Sequence, residues 1–203
     1  MVVGTVALLI AGGGCSSSSG GGSCGSVAGC GGNLVGTWKI TSSCTSGSQG
    51  SPSTSCPGET INIDSSTVTG TFTFNSDGTY QSTLVSSATE TVTFPASCVA
   101  MLGASLTCAQ VAAQLNGAGT GGGLTESWTC QGSGGCNCNV DASITGSANG
   151  TYTTSGAALT TMPTGQSTAG SSSYCVQGST LYMSAGSSMM GSMPSANLVA
   201  TKQ

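Results

Sequence analysis

Gly32-Asn33-Leu34-Val35-Gly36-Thr37-Trp38-Lys39-Ile40-Thr41-Ser42-Ser43-Cys44 decides how the chain is to be read. Leu34, Gly36, Trp38 and Ile40 alternate with Val35, Thr37, Lys39 and Thr41, so one face is apolar and the other mostly polar. Period two over this length is the pattern of a half-buried strand. A glycine two residues before an inward tryptophan leaves room for the indole to cross the floor of a barrel.

Outward from that strand the same period returns. Residues 59–64 read as a short strand, and residues 68–74 place Val68, Phe72 and Phe74 on one face with threonines on the other. Asn75-Ser76-Asp77-Gly78 then makes a tight turn, because Asp-Gly supplies the positive φ that hairpins need. Residues 79–86 bring Tyr80 and Leu84 back on one face, and 88–94 end at Pro95. Between Cys98 and Leu115 the apolar spacing changes to three and four, which predicts a short helical insertion over about residues 98–115. Asn116 to Gly123 is a glycine-rich stop. Strands resume at 124–130, 138–145, 151–154, 157–161, 174–177, 180–184 and 197–202. Many short strands with one helical insertion predict a mainly β fold. The expected form is a closed antiparallel barrel, which removes exposed edges. A β-sandwich is the alternative.

Composition narrows the function. The 203 residues contain no arginine and no histidine, and Lys39 and Lys202 are the two basic side chains. No basic patch for phosphates can be assembled, which argues against nucleic-acid binding. Without histidine, Ser-His-Asp and Cys-His nucleophile systems and His-based metal sites are excluded. General acid–base work would fall on carboxylates, and the chain reads as a non-enzyme without a cofactor. Eleven cysteines point to an oxidising compartment.

Further motifs carry a resemblance. Gly36-Thr37-Trp38 resembles the Gly-x-Trp signature that opens lipocalin and lipocalin-like barrels. Phe72-Thr73-Phe74-Asn75-Ser76-Asp77-Gly78-Thr79-Tyr80 resembles the F-x-x-D-G-T-Y hairpin of lipocalin-like lipoproteins. Tyr174 to Leu181 and the closing Leu198-Val199-Ala200-Thr201-Lys202 resemble their C-terminal strands. The likeness is greatest to small cysteine-rich, Thr/Ser-rich secreted lipoproteins of bacteria, myxobacteria in particular. The later lipocalin motifs with Thr-Asp-Tyr and Arg are missing, so the resemblance is to the outlying, lipocalin-like group. It implies a barrel floor of Gly36, Trp38 and Lys202, with the lysine packed over the tryptophan. It also implies carriage of a small ligand at most.

The N-terminus fits that picture. Residues 2–11 are a short apolar run, too brief to span a bilayer but suited to a signal peptide. Together with Gly12-Gly13-Gly14 and Cys15 they resemble a bacterial lipoprotein signal, although the run lacks a preceding Lys or Arg and Gly12 replaces the usual aliphatic residue. The expected organisation is a signal peptide over 1–14, lipidation at Cys15, a Gly/Ser-rich flexible tether over 15–32 and a barrel domain over 33–203. Ser16 after the cysteine implies, by the same resemblance, the outer membrane; secretion is the alternative. The partners expected are the membrane, through the lipid, and a small hydrophobic ligand. The protein is expected to be a monomer.

Alternation places Phe72, Phe74, Tyr80, Glu90, Glu126 and Trp128 inward, as candidates for lining a ligand cavity. For Glu90 and Glu126 the favoured reading is a wet position near the rim, since charges are rarely fully buried. Trp38 is read as packing the floor. Setting Cys15 aside leaves an even number of cysteines: Cys24, Cys30, Cys44, Cys56, Cys98, Cys108, Cys130, Cys136, Cys138 and Cys175. Disulfides are favoured over a soft-metal site at Cys130, Cys136 and Cys138. The pairings expected are Cys98–Cys108 across the helical insertion and Cys130 with Cys136 or Cys138; Cys24 and Cys30 are close enough in sequence to close a small local loop. Two interiors remain open: one holding a small apolar molecule, and one packed shut in a structural or interaction lipoprotein.

Overall fold

The computed structural model describes residues 27–45, 56–102, 106–117, 124–185 and 196–203. Among these, the chain forms β1 (Gly36–Thr45), β2 (Thr60–Phe74), β3 (Thr79–Phe94), α1 (Ala96–Leu102), α2 (Cys108–Gly117), β4 (Leu124–Gln131), β5 (Cys136–Ser155), β6 (Ala158–Pro163), β7 (Gly170–Gln177), β8 (Thr180–Ala185) and β9 (Ala196–Lys202). The mainly β expectation and the helical insertion both hold. Three pairs of strands read as separate are continuous: 59–64 with 68–74 in β2, 79–86 with 88–94 in β3, and 138–145 with 151–154 in β5. The residues between them are small or hydroxylated and leave the backbone free to keep pairing. At Gly150 the close approach is visible, since a Cβ there would run into the Met162 carbonyl of β6.

All nine strands belong to one antiparallel sheet in the order β3-β2-β1-β9-β8-β7-β6-β5-β4, and β3 also pairs with β5. That extra pairing joins the strands into a ring of hydrogen bonds, with β4 standing outside it beside β5. Trp38 on β1 is opposite Phe72 on β2 and Lys202 on β9. A bulge between Ile40 and Ser42 then shifts the β1–β9 register by one residue.

α2 starts at a reciprocal cap. The Thr107 hydroxyl accepts from Gln110 N–H at 3.3 Å, and Gln110 Oε1 accepts from Thr107 N–H at 2.9 Å. This is the capping-box arrangement, written in the sequence as Thr107-Cys108-Ala109-Gln110. At its other end α2 covers β4: Asn116 Nδ2 donates to the Trp128 carbonyl at 2.9 Å, and Trp128 N–H donates to Asn116 Oδ1 at 2.8 Å. One side-chain amide thus takes the place of a neighbouring strand on groups that an edge leaves open.

The chain divides into two compact units, the first from described residues of 47–66 and 87–144, the second from those of 14–46, 67–86 and 145–203. The first unit has a core of Val92, Phe94, Val99, Val111, Trp128 and Val140 with buried cysteines among them. Phe94 stacks on Trp128 at 6.4 Å. Three disulfides lie in this unit: Cys56–Cys98, Cys108–Cys136 and Cys130–Cys138. In the second unit Trp38, Phe72, Phe74, Tyr80, Leu84, Leu159, Tyr174, Leu181 and Met183 are all less than 2 % exposed.

The expected Cys98–Cys108 disulfide is corrected. Cys98 on α1 pairs with Cys56 ahead of β2, with Cα atoms 5.2 Å apart, and Cys108 at the start of α2 pairs with Cys136 at the start of β5, 5.5 Å apart. α1 is thus tied to the turn ahead of β2 and α2 to β5, and the two helices are not bridged to each other. Cys30 pairs with Cys175 on β7 and does not close a local loop with Cys24, which lies outside the described residues. Of the two partners expected for Cys130, Cys138 is the one it bonds. These residues are direct register partners across β4 and β5, which brings their side chains to the same face.

The tether expected over 15–32 does not include residues 30–32. Cys30 and Gly31 N–H groups donate to the Tyr174 carbonyl, Val176 N–H donates to Gly31, and Tyr174 Oη donates to the Gly32 carbonyl at 3.1 Å. Residues 30–32 are therefore tied to β7. Cys15 and residues 1–14 lie outside the described residues.

Candidate functional site

The three residues expected at a floor come together in the second unit. Trp38 is fully buried and its Nε1 donates to the Leu34 carbonyl at 2.7 Å, so its one polar atom is satisfied. Lys202 Nζ lies 5.4 Å from the indole centroid, within cation–π reach. Gly36 has φ +135°, and a Cβ there would lie 2.6 Å from Lys202 Cε. Glycine at this position both permits the backbone turn and lets the lysine stem pass.

Phe72, Phe74 and Tyr80 continue the same interior. Phe72 and Phe74 stack at 6.3 Å, Phe74 meets Tyr80 at 6.4 Å, and Tyr152 packs edge-on to Phe74 at 5.0 Å. Tyr152 Oη donates to the Asn75 carbonyl at 2.9 Å, which pins the β2–β3 turn. Within that turn Asp77 accepts from the Thr79 hydroxyl at 2.7 Å and its N–H at 2.9 Å, and these bonds hold its carboxyl below the usual range. Three buried oxygens of this unit make no hydrogen bond: Tyr80 Oη, Ser86 Oγ and Thr161 Oγ1. Burial pushes the Tyr80 hydroxyl up.

Glu90, Glu126 and Trp128 lie in the first unit, so the six residues expected to line one cavity fall three and three into two units. The rim reading of Glu90 is corrected. It is 2 % exposed, because the inward alternation of β3 runs unbroken from Tyr80 to Phe94 and buries whatever occupies its even positions. Its Oε1 makes no hydrogen bond. Burial, with the Glu126 and Asp64 carboxylates adding to it, pushes the Glu90 carboxyl up to about 7. Glu126 is half-buried and accepts from Trp128 Nε1 at 3.1 Å. Asp64 accepts from the Thr91 hydroxyl at 2.8 Å.

Cys130, Cys136 and Cys138 are placed in two disulfides. Among the described residues, no cluster of three or more His, Cys, Asp or Glu side chains is set to hold a metal ion. No described helix is long and apolar enough to cross a membrane. The sequence reading missed Asn116 and Gln110. The Thr-x-x-Gln spacing was a signal for Gln110, but nothing in the sequence marks Asn116 as the cover of β4.

Comparison with known proteins finds no matching family model, no matching curated protein and no matching solved structure.

Proposed function

We propose that this chain is a lipid-anchored, extracytoplasmic, lipocalin-like barrel whose interior is filled by its own side chains. On this reading it is a non-catalytic lipoprotein that acts through its surface. The observation that carries the filled interior is the burial below 2 % of nine large side chains in the second unit, from Trp38 to Met183. An interior with ligand space leaves some of its lining accessible. The barrel reading is supported by strand order: without β4, each strand pairs with its next in the chain, and β9 returns to β1. An up-and-down meander that closes on itself is the lipocalin arrangement. Lys202 over Trp38, with Gly36 beside them, supports the same likeness. Four disulfides support a location outside the reducing cytoplasm.

A second reading, carriage of a small apolar molecule with a polar end, is favoured by the unbonded Tyr80 Oη, Ser86 Oγ and Thr161 Oγ1. Buried polar atoms normally find partners. Titration of the folded protein with an environment-sensitive apolar dye separates the two. The filled interior predicts no saturable uptake, whereas one site per chain, competed by fatty acids, overturns it in favour of carriage.

The anchor is Cys15, with the outer membrane as destination. Cys15→Ser is expected to move the folded protein from the membrane to the soluble fraction, since multiple acyl chains give stable attachment. Retention of the mutant on membranes overturns the anchor and leaves the barrel reading standing.

A further inference from the structure

The first unit buries a carboxyl oxygen that finds no hydrogen-bond partner among the described residues. Glu90 is 2 % exposed, its Oε1 is unbonded, and both lysines, Lys39 and Lys202, belong to the second unit. The titratable groups on the elements around it are all acidic. Asp64 is on β2 and Glu126 on β4, Asp141 is exposed on β5, and Glu59 is buried just ahead of β2. Helices α1 and α2 carry no charge. An ionised Glu90 would therefore sit in an apolar setting beside like charges, which is costly.

We propose that Glu90 is a proton-operated catch: neutral, it lets the first unit close over its core, and ionised, it loosens β4 and the adjoining half of β3. The position of its titration, raised from 4.5 to about 7, puts the change within mild pH. The sign follows from linkage. Between those two values the folded protein holds a proton that the opened chain releases, so stability falls as pH rises through the window and levels off above it. The part of the unit that yields is defined by what holds it. β4 lies outside the hydrogen-bonded ring, with β5 on one side and the single amide of Asn116 on the other. Its Trp128 ties Glu126 to the same core through the Nε1 bond. Disulfides keep the opening local, since Cys130–Cys138 holds β4 to β5 at either pH.

Native-state hydrogen exchange of the intact, oxidised chain at pH 5 and pH 8, corrected for intrinsic rates, tests this. Amides of β4 and of residues 87–94 are expected to lose roughly 50–100-fold in protection at pH 8, the ratio that a shift of this size gives if the opened carboxyl titrates normally. Glu90→Gln, a neutral isostere, is expected to remove that loss. Equal protection at the two pH values, or the same loss in Glu90→Gln, overturns the proposal. Should Glu90→Gln fail to fold, Glu126→Gln replaces it: taking away a neighbouring negative charge lets Glu90 ionise at lower pH in the folded chain, so the loss of protection between pH 5 and pH 8 must shrink, and an unchanged loss overturns the catch.

Discussion

The second unit fills its interior with Trp38, Phe72, Phe74, Tyr80 and Tyr174 and, among the described residues, shows the disulfide Cys30–Cys175. The first has Phe94 and Trp128 as its large side chains, surrounds them with Val, Ala and Cys, and carries three disulfides. Large aromatics each bury enough apolar surface to hold strands together unaided. Where the side chains are small, covalent ties restrict the unfolded chain instead. The polar groups differ as well. Hydroxyls are left unbonded inside the second unit, and a carboxyl inside the first. A chain with 4 % charged residues thus stabilises two interiors by different means.

Reduction should break the comparison open most widely. Three bridges in the first unit contribute roughly 6–12 kcal/mol if each supplies about 2–4 kcal/mol. On titration with reductant, exchange protection is expected to disappear from β4, α1 and α2 before the strands around Trp38. Simultaneous loss everywhere would show that the aromatics do not hold the second unit by themselves. Trp38→Ala should cost about 3–5 kcal/mol in urea unfolding, as for a large core aromatic. A cost under 1 kcal/mol would mean that the indole is not a keystone of its unit.

Asn116→Ala has a smaller expected effect. It leaves the N–H and carbonyl of Trp128 without their partner, at about 1–3 kcal/mol. It also uncovers β4, so concentration-dependent association should appear in sedimentation. An Asn116→Ala protein as stable and as monomeric as the parent would show that α2 protects β4 by some other contact. Lys202→Met removes a cation from an indole at a partly solvated position and should cost only about 0.5–1 kcal/mol. A larger loss would mean that Lys202 does more than cap Trp38.

How much of this was legible in the sequence depended on how local the signal was. The Trp38 strand, the Asp77-Gly78 turn and the α2 region announce themselves through period and turn chemistry, and each is where the sequence places it. Strand lengths were misread because Ser65-Ser66-Thr67, Ser87 and the Gly146–Gly150 region look like breaks, whereas ladder pairing with neighbouring strands overrides weak local preference. Disulfide partners were misread for a related reason. Cys56 and Cys98 are 42 positions apart, and Cys30 and Cys175 are 145 apart. Sequence spacing favours short loops, and nothing in it records which segments the sheet brings side by side. Glu90 was placed on the correct face but at the wrong depth. Period two tells in from out; depth depends on how far the strand is covered, which only the continuous β3 reveals.

The central claim is an interior closed by its own side chains. Native mass spectrometry of the protein purified without denaturation from the organism that makes it tests that claim most directly. The expected spectrum is the mass of the processed, oxidised chain with its acyl groups and no further adduct. A stoichiometric small-molecule adduct that survives gentle desolvation and leaves on unfolding would contradict the filled interior.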